Sequence, residues 1–131
     1  MNEYDKKLQT GELYGDTFHV ISSKVKENEL IMEVCFGTNS KPTVPLVLVD
    51  YFFCVACDFL ASRDNSITHN SSITRKIVSA GWEFSKPLLP NETYTVKCLF
   101  LRACKDNSCN QFLFTAEIEG FLRYKSIYEE C

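Results

Sequence analysis

The run from Leu46 to Ala61, L-V-L-V-D-Y-F-F-C-V-A-C-D-F-L-A, constrains this chain more than any other stretch. It is too long for an ordinary strand. Pro45 precedes it and Ser62-Arg63-Asp64-Asn65 follows it, which are the flanks of a helix. It is apolar on nearly every face, so it has to be covered on nearly every face. It also carries Asp50 and Asp58 and is short for a bilayer, which points to a buried helix and away from a membrane span.

The remaining sequence has to supply that cover, and it reads as strands. Thr17–Val25 and Leu30–Phe36 form a hairpin across Glu27-Asn28-Glu29. Residues 37–45 make a loop rich in Gly, Asn, Ser and Pro, and 65–72 a polar loop. Further strands are expected at Ile73–Ala80, Glu83–Phe84, Thr93–Ala103 and Gln111–Tyr124, with a turn at Lys105-Asp106-Asn107-Ser108. The stretch Phe84–Tyr94 reads as a strand, a corner bounded by Pro87 and Pro90, and a second strand. The expectation is an α+β fold, with an antiparallel sheet wrapped around one long central helix. At 131 residues the chain is expected to be one domain, 1–131, with a loose N-terminal segment over 1–12.

Composition excludes several classes. A net charge of −3, without basic residues interleaved with aromatics, argues against a nucleic-acid partner. The start, Met1-Asn2-Glu3-Tyr4-Asp5-Lys6-Lys7, lacks an apolar core like that of a secretory signal. Together with seven cysteines this predicts reduced thiols, a cytoplasmic location and no membrane association. Cys54-Val55-Ala56-Cys57 has the spacing of a redox pair, but it lies inside the apolar helix and not at its N-terminus, so both thiols read as small buried hydrophobes. Cys104 and Cys109 flank a turn. No Cys/His set completes a four-ligand site, so no metal is expected. There is no Gly-rich phosphate loop and no G-x-S-x-G elbow.

Three pieces, in order, carry a family resemblance. Lys41-Pro42-Thr43-Val44-Pro45 followed by Leu46-Val47-Leu48-Val49-Asp50 looks like K-P-x-x-P-G-V-L-I-L-E without the glycine. Phe84-Ser85-Lys86-Pro87-Leu88-Leu89-Pro90-Asn91-Glu92 looks like F-x-R-P-V-V-P-G-D. Phe114, Ala116 and Gly120 form F-x-A-x-x-x-G. Over roughly residues 14 to 125 the chain resembles the 3-hydroxyacyl-ACP dehydratases, which are hot-dog proteins. The resemblance implies a sheet curled around one helix, a homodimer, and a substrate acyl group carried on the phosphopantetheine of ACP or CoA, with no bound cofactor. It also implies a place in fatty acid or polyketide metabolism. The family's H-F-P-G is replaced here by Gly37-Thr38-Asn39-Ser40, so the catalytic histidine has no counterpart.

Asp50 is the leading candidate for chemistry. Burying a carboxylate among Val47, Leu48, Val49, Tyr51, Phe52 and Phe53 is costly unless it is paired, and such groups often serve as general acid or base. The bland alternative is a carboxylate reaching solvent or a backbone donor near the helix start. Backbone N–H groups at Leu46 and Val47 can polarise a thioester carbonyl, with Tyr51 beside them. Asn39 is a candidate second donor to that carbonyl, against the plain reading of a turn asparagine. His69 is a candidate replacement histidine, against a solvated loop position. His19, on a strand, reads as structural.

Three functional classes follow. One is a 3-hydroxyacyl thioester dehydratase-like lyase. The second is an acyl thioesterase using Asp50. The third is a catalytically silent acyl-binding or partner subunit.

Overall fold

The computed structural model describes residues 10–63, 75–106 and 109–130. Its elements are β1 (Thr10–Leu13), β2 (Asp16–Lys26), β3 (Glu29–Gly37), α1 (Leu46–Arg63), β4 (Arg75–Phe84), β5 (Thr93–Asp106), β6 (Cys109–Ile118) and β7 (Leu122–Glu130). The strands form one antiparallel sheet in the order β1-β2-β3-β5-β6-β7-β4.

Each strand exposes alternate side chains to opposite faces. Leu30, Met32, Val34 and Phe36 of β3 are buried, as are Val96, Cys98 and Phe100 of β5 and Phe112, Phe114, Ala116 and Ile118 of β6. These inner faces curl around α1, which buries Leu48, Val49, Phe52, Phe53, Ala56, Cys57, Phe59 and Leu60. Phe52 meets Phe18 at 4.8 Å and Phe36 at 5.6 Å between ring centroids, and Phe53 meets Tyr124 at 5.1 Å. The expected α+β arrangement is what the chain adopts.

Four local expectations are corrected. The helix is not covered all round: Val47 is 55% and Tyr51 36% exposed. Positions 47, 51, 54 and 58 share one helical stripe, and the curled sheet leaves that stripe outside. Thr10, Gly11 and Glu12, expected to be loose, form β1 with Leu13, because Tyr14 and Gly15 take φ of 53° and 85° and fold the chain back as a two-residue hairpin turn. Gly11 is needed there, since a Cβ would stand 2.3 Å from the Phe18 ring.

The third correction is at β4, which runs unbroken through Gly81 and Trp82; its irregularity is a register shift at Val78. Trp82 is held in line by stacking on Phe53 and Phe84. Finally, Gln111–Tyr124 is not one strand. Gly120, at φ 83°, and a Phe121 N–H donating to Ile118 O at 2.9 Å turn the chain between β6 and β7.

Candidate functional site

The start of α1 is framed by two connections. Pro45 O accepts from Leu48 and Val49 N–H at 3.1 and 3.4 Å, so the helix begins there and the Leu46 and Val47 amides precede its hydrogen-bonded ladder. On one side lies the corner after β4. Ser85 and Lys86 N–H donate to Phe121 O at 2.8 and 3.3 Å, and Leu89 N–H donates to the Tyr94 hydroxyl at 2.7 Å. Between corner and helix lies an apolar groove of about 400 Å³, lined by Val44, Leu46, Val49, Phe84, Leu88 and Leu122 among others. Lys86 stands at this groove with its ammonium 4.6 Å from the centroid of the Phe121 ring.

On the other side is the loop from Gly37 to Pro45. Gly37 is the last residue of β3 and pairs with Thr17. A Cβ at Gly37 would stand 2.9 Å from Thr17 Oγ1, so any side chain there requires that hydroxyl to move. Val44 N–H donates to Leu88 O at 2.9 Å and Asn91 N–H to Phe36 O at 2.8 Å, which ties loop and corner together.

The candidate residues distribute unevenly around this start. Asp50 is half-buried, at the border between the enclosed helix surface and the exposed stripe. Its charge adds to burial in raising the Cys54 thiol to about 11, and contributes to raising the Tyr124 phenol to about 12 after burial as the main cause. Asp50, Cys54 and Tyr124 therefore share one neighbourhood. Tyr124 was not a sequence candidate. It is 3% exposed and meets Trp82 at 4.6 Å. Ser126, 1% exposed, lies close enough to Tyr124 to temper that shift, yet its hydroxyl has no partner in full hydrogen-bond geometry among the described residues.

Leu46 lines the groove and is 47% exposed. Val47 and Tyr51 lie on the exposed stripe, and Tyr51 turns its ring edge to Phe18 at 5.9 Å, on the β2 side and outside the groove. Asn39 is exposed and uses its backbone N–H, not its amide, in a contact with Asp16 at 3.1 Å. His69 lies outside the described residues. His19 is exposed on β2, opposite Cys35.

Of the Cys54–Cys57 pair, both expected to be buried, Cys57 is buried and Cys54 only half-buried, on the outer stripe; Cys98 is also buried, and burial pushes the Cys57 and Cys98 thiols far up. The strand register sets Cys104 opposite Gln111 and Cys109 opposite Asp106, so the two cysteines do not pair across the ladder. Among the described residues no group of three or more His, Cys, Asp or Glu could hold a metal ion.

A wider depression of about 660 Å³ lies on the outer face of the sheet. There Lys97, Glu117, Arg123 and Glu83 stand side by side across four strands. Arg123 pairs with Glu117 at 2.8 Å and Lys97 with Glu29 at 3.6 Å, the pattern of a solvated sheet face away from the helix start.

No family model and no curated protein matches the chain. Solved structures do. The chain is similar to the PaaI protein of the Escherichia coli phenylacetic acid degradation operon, with a TM-score of 0.59, 9% identity, and 85% of this chain and 81% of that one covered. It is similar to a thioesterase family protein from Silicibacter pomeroyi, with a TM-score of 0.53, 11% identity, and 98% and 89% covered. No helix among the described residues is long and apolar enough to cross a membrane. One helix held in a curled antiparallel sheet, matched over most of both neighbours, gives this chain the hot-dog fold.

Proposed function

We propose that this chain hydrolyses acyl thioesters carried on CoA or an acyl carrier protein. The observation that carries the reading is a half-buried carboxylate, Asp50, one turn beyond Leu46 in the helix whose Leu46 and Val49 line the apolar groove. The acyl thioester lies along the groove with its carbonyl at the Leu46 and Val47 amides. Asp50 takes a proton from water as the oxygen attacks the carbonyl carbon, and the amides hold the oxyanion. Collapse breaks the carbon–sulfur bond, and the proton passes to the departing thiolate. The likeness to a thioesterase family protein is one of fold and supplies no residue.

The chain acts as a homodimer in this reading. β4 ends the sheet, and Ile77, Val78 and Phe84 on it are 37%, 43% and 52% exposed. An edge with that much apolar surface is a template for a second copy. Pairing two β4 edges brings Phe84, and with it the groove, to the interface.

The test is incubation of purified protein with crotonyl-, 3-hydroxybutyryl- and longer acyl thioesters. Release of free thiol supports hydrolysis. Loss of enoyl absorbance supports the dehydratase-like chemistry that the Phe84–Glu92 motif suggests, with His69 as the missing partner. Binding without either reaction supports the silent subunit.

A further inference from the structure

The most enclosed carboxylate among the described residues is not Asp50 but Asp16, which is 3% exposed. It follows the Tyr14-Gly15 turn and opens β2. Both of its oxygens are engaged, and both partners come from the loop leading to α1. Oδ1 accepts the Asn39 backbone N–H at 3.1 Å, and Oδ2 accepts the Lys41 ammonium at 2.5 Å. Between these two residues Ser40 takes φ of 62°, and the Thr38 hydroxyl donates to Lys41 O at 3.1 Å. The loop thus closes into a tight turn around a carboxylate that the β1–β2 hairpin delivers. Downstream, Val44 is tied to Leu88. The segment reaching Pro45 is fixed at both ends.

A charge-assisted pair completed by a backbone N–H orients as well as attracts, because carboxylate, amide and ammonium have to agree on one geometry. The Asp16 carboxyl is correspondingly held below its ordinary range, first by the Lys41 hydrogen bond and then by the Asn39 N–H.

We propose that Asp16 is the positioning residue of the candidate site: with Lys41 it clamps residues 38–41 and so fixes the loop that leads into the amides that receive the thioester carbonyl. What the loop presents rests on the thioester reading; the clamp itself does not.

Two readouts on the full chain test it: amide hydrogen exchange over residues 37–49, and kcat and KM for acyl-CoA hydrolysis. In Asp16→Ala the Asn39 amide exchanges faster, while the Leu89 amide, bonded to Tyr94, keeps its wild-type rate. The value of kcat falls roughly 10- to 100-fold, the range that a misplaced group costs, with KM little changed. Asp16→Asn, which keeps the acceptor for the Asn39 N–H, restores part of that amide's protection. If Asp16→Ala does not fold, Asp16→Ser and Lys41→Met are read in its place. Wild-type exchange at Asn39 in the variant that removes the Asp16 carboxyl overturns the clamp. A loosened loop with unchanged kcat overturns the positioning role. A wild-type protein that is inert to every thioester overturns the functional reading and this residue's part in it, while exchange still decides the clamp.

Discussion

The two connections that frame the helix start are held by different means. The corner between β4 and β5 has local contacts of its own besides its backbone bonds to Phe121, Phe36 and Val44: Tyr94 reaches back five residues to Leu89, and Asn91 takes φ of 65°. The loop between β3 and α1 is fixed by a carboxylate 23 to 25 residues away in sequence. The corner depends on neutral hydrogen bonds and backbone shape, the loop on an ion pair. The first should be indifferent to pH near neutrality and the second sensitive to acid. Only the first leaves a local trace in the sequence.

The largest expected effect tests what both connections serve. Asp50→Asn should lower thioester hydrolysis by roughly 10²- to 10⁴-fold with thermal stability preserved, measured by initial rates and melting curves. Full activity in that variant would show that loop and corner frame something other than a hydrolytic centre.

On the corner side, Tyr94→Phe removes the hydroxyl that accepts the Leu89 N–H inside a residue only 7% exposed. The expected cost is about 0.5 to 1.5 kcal/mol in denaturant unfolding, the net worth of one hydrogen bond, since Leu89 itself is exposed. Exchange at Leu89 should rise while Asn39 stays protected, the mirror image of the Asp16 variants.

On the loop side, acid separates the two connections. Asp16 has a folded pKa below its unfolded value, which lies near 4. Its contribution is therefore present above about pH 4 and is lost as pH falls through the lowered folded pKa. Protection of the Asn39 amide, corrected for intrinsic rate, should fall over that acidic window before protection of Leu89 does. Simultaneous loss would mean that the loop has no electrostatic lock of its own.

The smallest effect concerns backbone shape. Asn91→Gly should be close to neutral, since glycine takes positive φ freely, whereas Asn91→Ala should cost roughly 1 kcal/mol, because alanine lacks the short polar side chain whose local hydrogen bonding makes the left-handed region tolerable for asparagine.

This contrast also explains what the sequence disclosed. Leu46–Ala61 announced a helix through length and apolarity, and Pro87, Pro90 and Asn91 announced a corner, because each signal is carried by neighbours in the chain. The outer stripe of the helix was hidden by its composition: Val47, Tyr51 and Cys54 look like core residues, and only the placement of the sheet decides which of them are covered. The turn at Gly120 was masked by the β-forming residues on either side. Asp50 was legible because it interrupts an apolar run. Asp16 was not, since a lone aspartate after a Tyr-Gly pair looks like a turn residue until the fold brings Lys41 to it. Tyr124 was unreadable for the same reason: its nearness to Asp50 exists only across the sheet and helix.

The strand order carries a kinetic consequence. β1-β2-β3 and β5-β6-β7 are two meanders whose pairings are local, each assembled through short turns. The seam between them, β3 against β5, joins Cys35 to Thr93, and every residue of α1 lies in the loop that this pairing closes. β4 then has to travel to the far side of β7. Non-local pairings of this kind come late and slowly, after loop-closure entropy has been met. Until the seam forms, the apolar helix has no enclosure, so a folding intermediate with both meanders built would still present α1 to its neighbours, and refolding yield should fall as protein concentration rises.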